Sequence, residues 1–313
     1  MRKILVIRGG AIGDFILTLP VLAALQRKFP DASLELLADK RYASLAIESG
    51  FAQDAFALNS PKLVDFFAPN GSKDRVMADY FAKFDLIVSY LFDPDRTFES
   101  NIAACSSAKF IAGPHRPDDS ADIHATEILL RPLEELGITG ADSTPRLKLR
   151  DPSMLPSKKS RQLVLHPGSG SELKNWPEPK WRELLRILSR ETSWSFLLVG
   201  GEAEGSRCER LASLLPTERV ELAVNLPLLE LARDLDYCIA FIGHDSGITH
   251  LAAAVGLPGL TLWGPSADTV WRPKSKKITL LKEPGGLSHL KVETVRKAIT
   301  AIFETTQYPE YDD

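Results

Sequence analysis

Short apolar runs alternate with longer amphipathic ones along the whole chain, and they do so in two rounds. In the first round KILVI (3–7), SLELLA (33–38), DLIVSY (85–90) and AKFIAG (108–113) read as buried strands. Between them lie helical patterns: FILTLPVLAALQRKF, expected to bend or restart at Pro20, RYASLAIES, ended by Gly50, and DIHATEILLRPLEEL, with Gly137 just past its end. Strands separated by helices demand a parallel sheet covered on both faces. Residues 146–162, RLKLRDPSMLPSKKSRQ, break the pattern with two prolines, three serines and clustered basic residues, and read as a linker. The alternation then restarts: LVLHPG, a helix from about 179 to 190, SFLLVGG, CERLASLL, LPLLELARDL, YCIAFIG, ITHLAAAVG, GLTLWG and a last amphipathic segment, KVETVRKAITAIFETT, before a frayed tail.

The expectation is an α/β chain of two domains, residues 1–155 and 160–313, with the last helix a candidate to pack back on the first. A length of 313 residues suits two cores. The net charge of −3 gives no basic excess for nucleic acid. Cys105, Cys208 and Cys238 are odd in number and widely spaced, which suits a reducing cytoplasm and forms no metal or disulfide pattern. Arg8, Gly9, Gly10 and Asp14 interrupt the first apolar stretch too early for an export signal. No run approaches the roughly 20 apolar residues of a membrane span, so membrane contact is expected to be peripheral at most.

Ligands of such sheets bind beyond the carboxyl ends of the strands, which selects five loops. The first, RGGAIGD, fails the dinucleotide fingerprint: Gly9 and Gly10 are adjacent, Gly13 follows, and Asp14 stands where a third small residue is wanted. Asp14 either caps the next helix or, held ionised by that helix's N-terminus, serves as a general base. The second, HPGSGSELKNWP, offers Ser169, Gly170 and Ser171 to an anion, with Lys174 as a fixed charge pinned by Asn175-Trp176-Pro177. A polar surface loop with a solvated lysine is the alternative. In the third, VGGEAEGS, Glu204 suits a ribose diol or a helix cap equally. The fourth, GHDSGITH, is the richest. Its Ser246, Gly247 and Ile248 N–H groups open a helix suited to a diphosphate, beside Asp245 and His250. His244, Asp245 and His250 are metal-ligand types but lack a clear further ligand, and a core-packed His250 is the plainer alternative. In the fifth, Trp263 either borders a base or packs in the core, and Trp271 reads as structural. His166 is given no role.

In chain order GGAIGD with LTLPVLAAL, HPGSGSELKNWP, VGGEAE and GHDSGITHLAAAVGLPGLTLWGPS resemble glycosyltransferase family 9, the heptosyltransferases of lipopolysaccharide core synthesis. The resemblance runs from residue 1 to about 272. It implies a GT-B architecture, two Rossmann-like domains facing across a cleft, with the acceptor on the N-terminal one and the nucleotide sugar on the C-terminal one. It implies an inverting, metal-free glycosyltransferase, using ADP-heptose as substrate and no cofactor, acting in the cytoplasm on a glycan or glycolipid, with at most peripheral contact with the inner membrane. By matching motif, Asp14 would deprotonate the acceptor hydroxyl. Lys174, with Ser169, Gly170, Ser171, Ser246 and Gly247, would hold the donor diphosphate. Asp245 would hold sugar hydroxyls, His250 would support the loop or the phosphate, and Glu204 would meet the ribose.

Residues 1–150 hold 18 Lys/Arg against 20 Asp/Glu, which gives no general basic patch for a phosphorylated acceptor. A nicotinamide oxidoreductase shares the sheet pattern but needs the glycine fingerprint that is missing here. A non-catalytic nucleotide-sugar module is the other alternative, against which Asp14 and Lys174 stand together. Donor, acceptor, linkage and oligomeric state are left open.

Overall fold

A computed structural model describes residues 3–69, 74–149, 162–202 and 204–307. The chain divides into two compact units, Met1–Lys148 and Leu149–Asp313. The boundary at 155–160 expected from the sequence, most of the linker and the tail from 308 lie outside the described residues.

The first unit is built on five parallel strands: β1 (Lys3–Arg8), β2 (Ser33–Ala38), β3 (Asp54–Ala57), β4 (Leu86–Tyr90) and β5 (Lys109–Ala112). Their spatial order is β3-β2-β1-β4-β5. The second unit has six: β6 (Gln162–Leu165), β7 (Ser195–Gly200), β8 (Val220–Val224), β9 (Ala240–His244), β10 (Gly259–Trp263) and β11 (Ile278–Lys282). These run parallel in the order β11-β10-β9-β6-β7-β8. In each sheet the chain winds outward in one direction and then returns to the far side of its first strand. The order therefore reverses between β1 and β4, and again between β6 and β9. Open parallel sheets hold their ligands outside such reversals.

Central strands are apolar throughout because helices cover both faces; Ile4 to Ile7 and Ala240 to Ile242 are all buried. The helix Ile12–Lys28 runs on through Pro20 and does not restart there. It gives up the hydrogen bond that a residue-20 N–H would make to Ile16. The segment expected as one helix over 122–136 is α-helical only over Ala125–Leu130 and then tightens into a 3-10 turn, Arg131–Leu136. Pro132, which cannot donate to residue 128, lies at that change. The last helix, Val292–Gln307, lies on its own unit's sheet, against the helix Glu178–Glu191, β9 and β10. It sends Val295, Ile299 and Phe303 into that core, with the Phe303 ring stacked 3.8 Å from Trp194.

Candidate functional site

The reversal in the first sheet is occupied by Asp14. Gly10 takes φ +93°, a backbone state open to glycine, and a Cβ there would stand 2.5 Å from the Asp14 Oδ2 atom. This turn starts the helix one residue after Ala11, with Gly13 inside the first turn. Asp14 does cap that helix, since its Oδ2 accepts the Ala11 N–H at 2.9 Å. Its Oδ1 lies 3.4 Å from the Arg8 Nη2, and the side chain keeps 30% exposure, so the carboxylate is fastened yet reachable.

Arg8 is the residue that sequence reasoning passed over. Its side chain is 2% exposed. Nε donates to the Asp14 carbonyl at 3.1 Å, and Nη1 to the His115 carbonyl at 2.8 Å and the Tyr90 carbonyl at 3.4 Å. One buried cation thus ties the carboxylate, the end of β4 and the loop after β5 together. Burial lowers its pKa, opposed by the Asp14 charge. The signal in the sequence was an arginine closing an otherwise apolar strand.

In the second unit the loops after β6 and β9 meet at the reversal. Ser171 begins a 3-10 turn, Glu172–Lys174, that raises Lys174. Its Nζ pairs with the Asp245 Oδ2 at 2.6 Å, and the Ser266 hydroxyl reaches the same oxygen at 2.5 Å. Asp245 is 8% exposed. The lysine and the carboxylate, expected to hold different parts of a ligand, hold each other. Ser246 is the N-cap of the helix Gly247–Ala254, and its hydroxyl accepts the Thr249 N–H. The N–H groups of Gly247 and Ile248 have no partner among the described residues and remain for an anion. His250 is buried one turn further in.

The remaining residues singled out in the sequence are placed as follows. The Ser169 hydroxyl lies 2.7 Å from the Asn175 Oδ1 and 2.9 Å from the Ser171 carbonyl, so it braces its own loop. Glu204 joins two loops: Oε1 accepts the Gly170 N–H at 3.2 Å and Oε2 the Gly201 N–H at 3.1 Å. A Cβ on Gly168 would stand 2.1 Å from the Glu204 Cγ, which explains the glycine. Trp263 packs in the core: it is 1% exposed, and its indole N–H donates to the Ser266 carbonyl at 2.8 Å. Its place is to set the loop that carries Ser266. Trp176 does pin its segment, with its ring buried and its indole N–H on the Leu290 carbonyl at 3.1 Å. Arg207, also passed over, donates to the Pro167 carbonyl at 3.2 Å and to Glu172 at 2.6 Å.

Two imidazoles lie beneath these loops. Burial pushes His166 down to about 4 and His244 to about 3. Both are therefore neutral in the folded chain, while their unfolded counterparts take up protons near pH 6.5. The unfolded state binds more protons below that pH, so stability falls as pH falls from about 6.5 toward 4, by roughly 1.4 kcal/mol per pH unit for each imidazole. Chemical denaturation at pH 7.5, 6 and 5 will show this as a falling midpoint. A midpoint independent of pH over that range contradicts it.

A second expectation concerns the ion pair. Asp245→Asn removes the counter-charge of Lys174, so an anionic probe such as inorganic pyrophosphate should bind a few-fold tighter to the variant in titration calorimetry. Weaker binding of the probe would mean that Asp245 serves to hold the lysine in place.

Among the described residues no helix is long and apolar enough to cross a membrane, and no three His, Cys, Asp or Glu side chains are grouped as a metal would need. The chain is 24% identical over 290 residues to lipopolysaccharide heptosyltransferase 3 of Escherichia coli K12, covering 85% of this chain and 83% of that one. Its fold matches E. coli ADP-heptose lps heptosyltransferase II with a TM-score of 0.77, at 18% identity over 97% of this chain and 99% of that one. It also matches E. coli heptosyltransferase WaaC with ADP, TM-score 0.75, at 19% identity over 96% and 99%. These structures share the two-sheet GT-B fold. The model of glycosyltransferase family 9 (heptosyltransferase) matches residues 114–297, more than half the chain, and the protein belongs to that family of glycosyltransferases.

Proposed function

We propose that the protein transfers a heptose from ADP-heptose to a hydroxyl of a lipopolysaccharide-core-like glycan, with inversion and without a bound metal. The observation that carries this reading is the reversal between β6 and β9. A lysine and the two open N–H groups of a helix start stand there together, the charges a departing diphosphate requires. The E. coli relative named as a lipopolysaccharide heptosyltransferase, and the solved neighbours named for ADP-heptose and holding ADP, support this choice of donor and acceptor class.

In the reaction the acceptor oxygen forms a bond to the anomeric carbon from the face opposite the diphosphate. The bond from that carbon to the β-phosphate oxygen breaks, and its electron pair leaves with ADP. The acceptor proton passes to the Asp14 carboxylate. Lys174, Gly247 and Ile248 offset the charge that grows on the leaving oxygen. Asp245 serves the sugar hydroxyls, and Glu204, beside the loop glycines, serves the ribose. The protein works in the cytoplasm, with at most peripheral contact with the inner membrane.

Titration calorimetry with ADP, UDP, GDP and NAD, with and without EDTA, tests the donor. Selective binding of ADP that survives EDTA is the expected result. Selectivity for UDP or GDP would reject heptose as the sugar. Binding of NAD alone would reject the site altogether.

A further inference from the structure

Strands β6 and β9 are neighbours, with Leu165 opposite Ile242. His166 follows the last residue of β6, its N–H on the Ile242 carbonyl at 2.8 Å, and His244 is the last residue of β9. Each imidazole reaches across to the loop that follows the other strand. The His166 Nδ1 lies 3.2 Å from the Ser246 Oγ, at the cap of the helix Gly247–Ala254. The His244 Nδ1 lies 3.3 Å from the Gly168 carbonyl, and its Nε2 lies 2.9 Å from the Trp176 N–H. A carbonyl only accepts and an N–H only donates, so the His244 proton sits on Nδ1. This one ring grips the phosphate loop near both of its ends, with Lys174 between them. His244 is fully buried, with its ring against the edge of Trp181 at 5.7 Å between centroids, and His166 is 3% exposed.

From this crossing we infer that His166 and His244 are positioning residues, a reciprocal brace that fixes the loop carrying Lys174 to the helix start carrying the Gly247 and Ile248 N–H groups. Neither imidazole needs to touch the ligand. Without the brace, the lysine and the N–H groups are free to drift apart, and a diphosphate must order them on binding. The inference rests on the reading of this reversal as the diphosphate site.

The test uses His244→Asn, His244→Gln and His166→Phe in the full chain. An Asn amide stands near the place of Nδ1 and can keep the Gly168 contact. A Gln carbonyl stands near Nε2 and can keep the Trp176 contact. His166→Phe keeps the ring shape and loses the Ser246 contact. Amide hydrogen exchange in the unliganded protein reads the brace directly. Trp176 should exchange at least tenfold faster in His244→Asn, and Thr249 and His250, whose N–H groups bond Ser246, at least tenfold faster in His166→Phe. Titration with ADP and with inorganic pyrophosphate should show affinity lowered about tenfold in His244→Asn and His166→Phe and less in His244→Gln, with the donor KM rising by a similar factor.

Folded variants that exchange and bind as the unsubstituted protein does overturn the inference. So does faster exchange with unchanged affinity for both ligands. Failure of all three variants to fold also overturns it, because the imidazoles then hold the sheet and not the loops. An unsubstituted protein that binds pyrophosphate and no nucleotide defeats the proposed donor, while the pyrophosphate series still decides the brace. One that binds neither removes the site on which the brace is said to act, and overturns both.

Discussion

Asp14→Asn is expected to lower kcat by about 10²- to 10⁴-fold, the usual worth of a general base, while ADP affinity stays within a factor of two. Asn keeps an amide oxygen for the Ala11 N–H, so the helix cap survives. What disappears is the carboxylate proposed above to take the acceptor proton. The substitution also strips Arg8 of its carboxylate partner, and that guanidinium is only 2% exposed. A stability loss of about 1–2 kcal/mol is expected from this uncompensated buried charge. Rates must therefore be measured on protein whose first unit is shown to be folded, by thermal denaturation and circular dichroism of the variant beside the unsubstituted protein. Turnover within tenfold of the unsubstituted protein would leave Asp14 with its structural duties alone.

Lys174→Ala is expected to weaken ADP binding about tenfold or more and to slow transfer about 10²- to 10³-fold, the cost of removing one preorganised charge from a leaving group. The geometry adds a second consequence. With the lysine gone, Asp245 is left 8% exposed, with the Ser266 hydroxyl on its oxygen and no cation beside it. A bare carboxylate then faces an incoming diphosphate. Lys174→Ala with Asp245→Asn should accordingly bind ADP better than Lys174→Ala alone. Unchanged ADP affinity in Lys174→Ala would move the phosphate site elsewhere.

What could be read from the sequence follows from where each strand sits. β1, β4, β6, β7, β9 and β10 are interior strands and announce themselves as apolar runs, because both faces are covered. β3, β8 and β11 did not, and all three are edge strands with partly exposed side chains: DAFA, VELAV and ITLLK. An edge strand has solvent on one side and needs no continuous apolar run. The loops were legible for the same reason as the interior strands, since each follows one directly.

The partnerships within the site were not legible. Lys174 and Asp245 are 71 residues apart, and their contact follows from the packing of β6 beside β9. His244 was weighed as a metal-ligand type, yet it is the tether of two backbone groups. Arg8 looked like the end of a strand until its reach to His115 placed it beneath the Asp14 carboxylate. Trp263, the last residue of β10, read equally as a border for a base or as core. Which way a side chain turns at that point is decided by the neighbouring loop, here by the Ser266 carbonyl.

The pairing of Lys174 with Asp245 also bears on the speed of capture. A cleft lined with bare cations draws anions from a distance, and such attraction multiplies association rates and fades steeply with salt. A lysine already neutralised at 2.6 Å projects little field beyond its own neighbourhood. An anionic ligand approaching this pair would meet a dipole and not a bare charge, so the pair adds little to the rate of encounter. On the proposed reading, recognition would be decided after contact, with a diphosphate competing with the carboxylate for the ammonium.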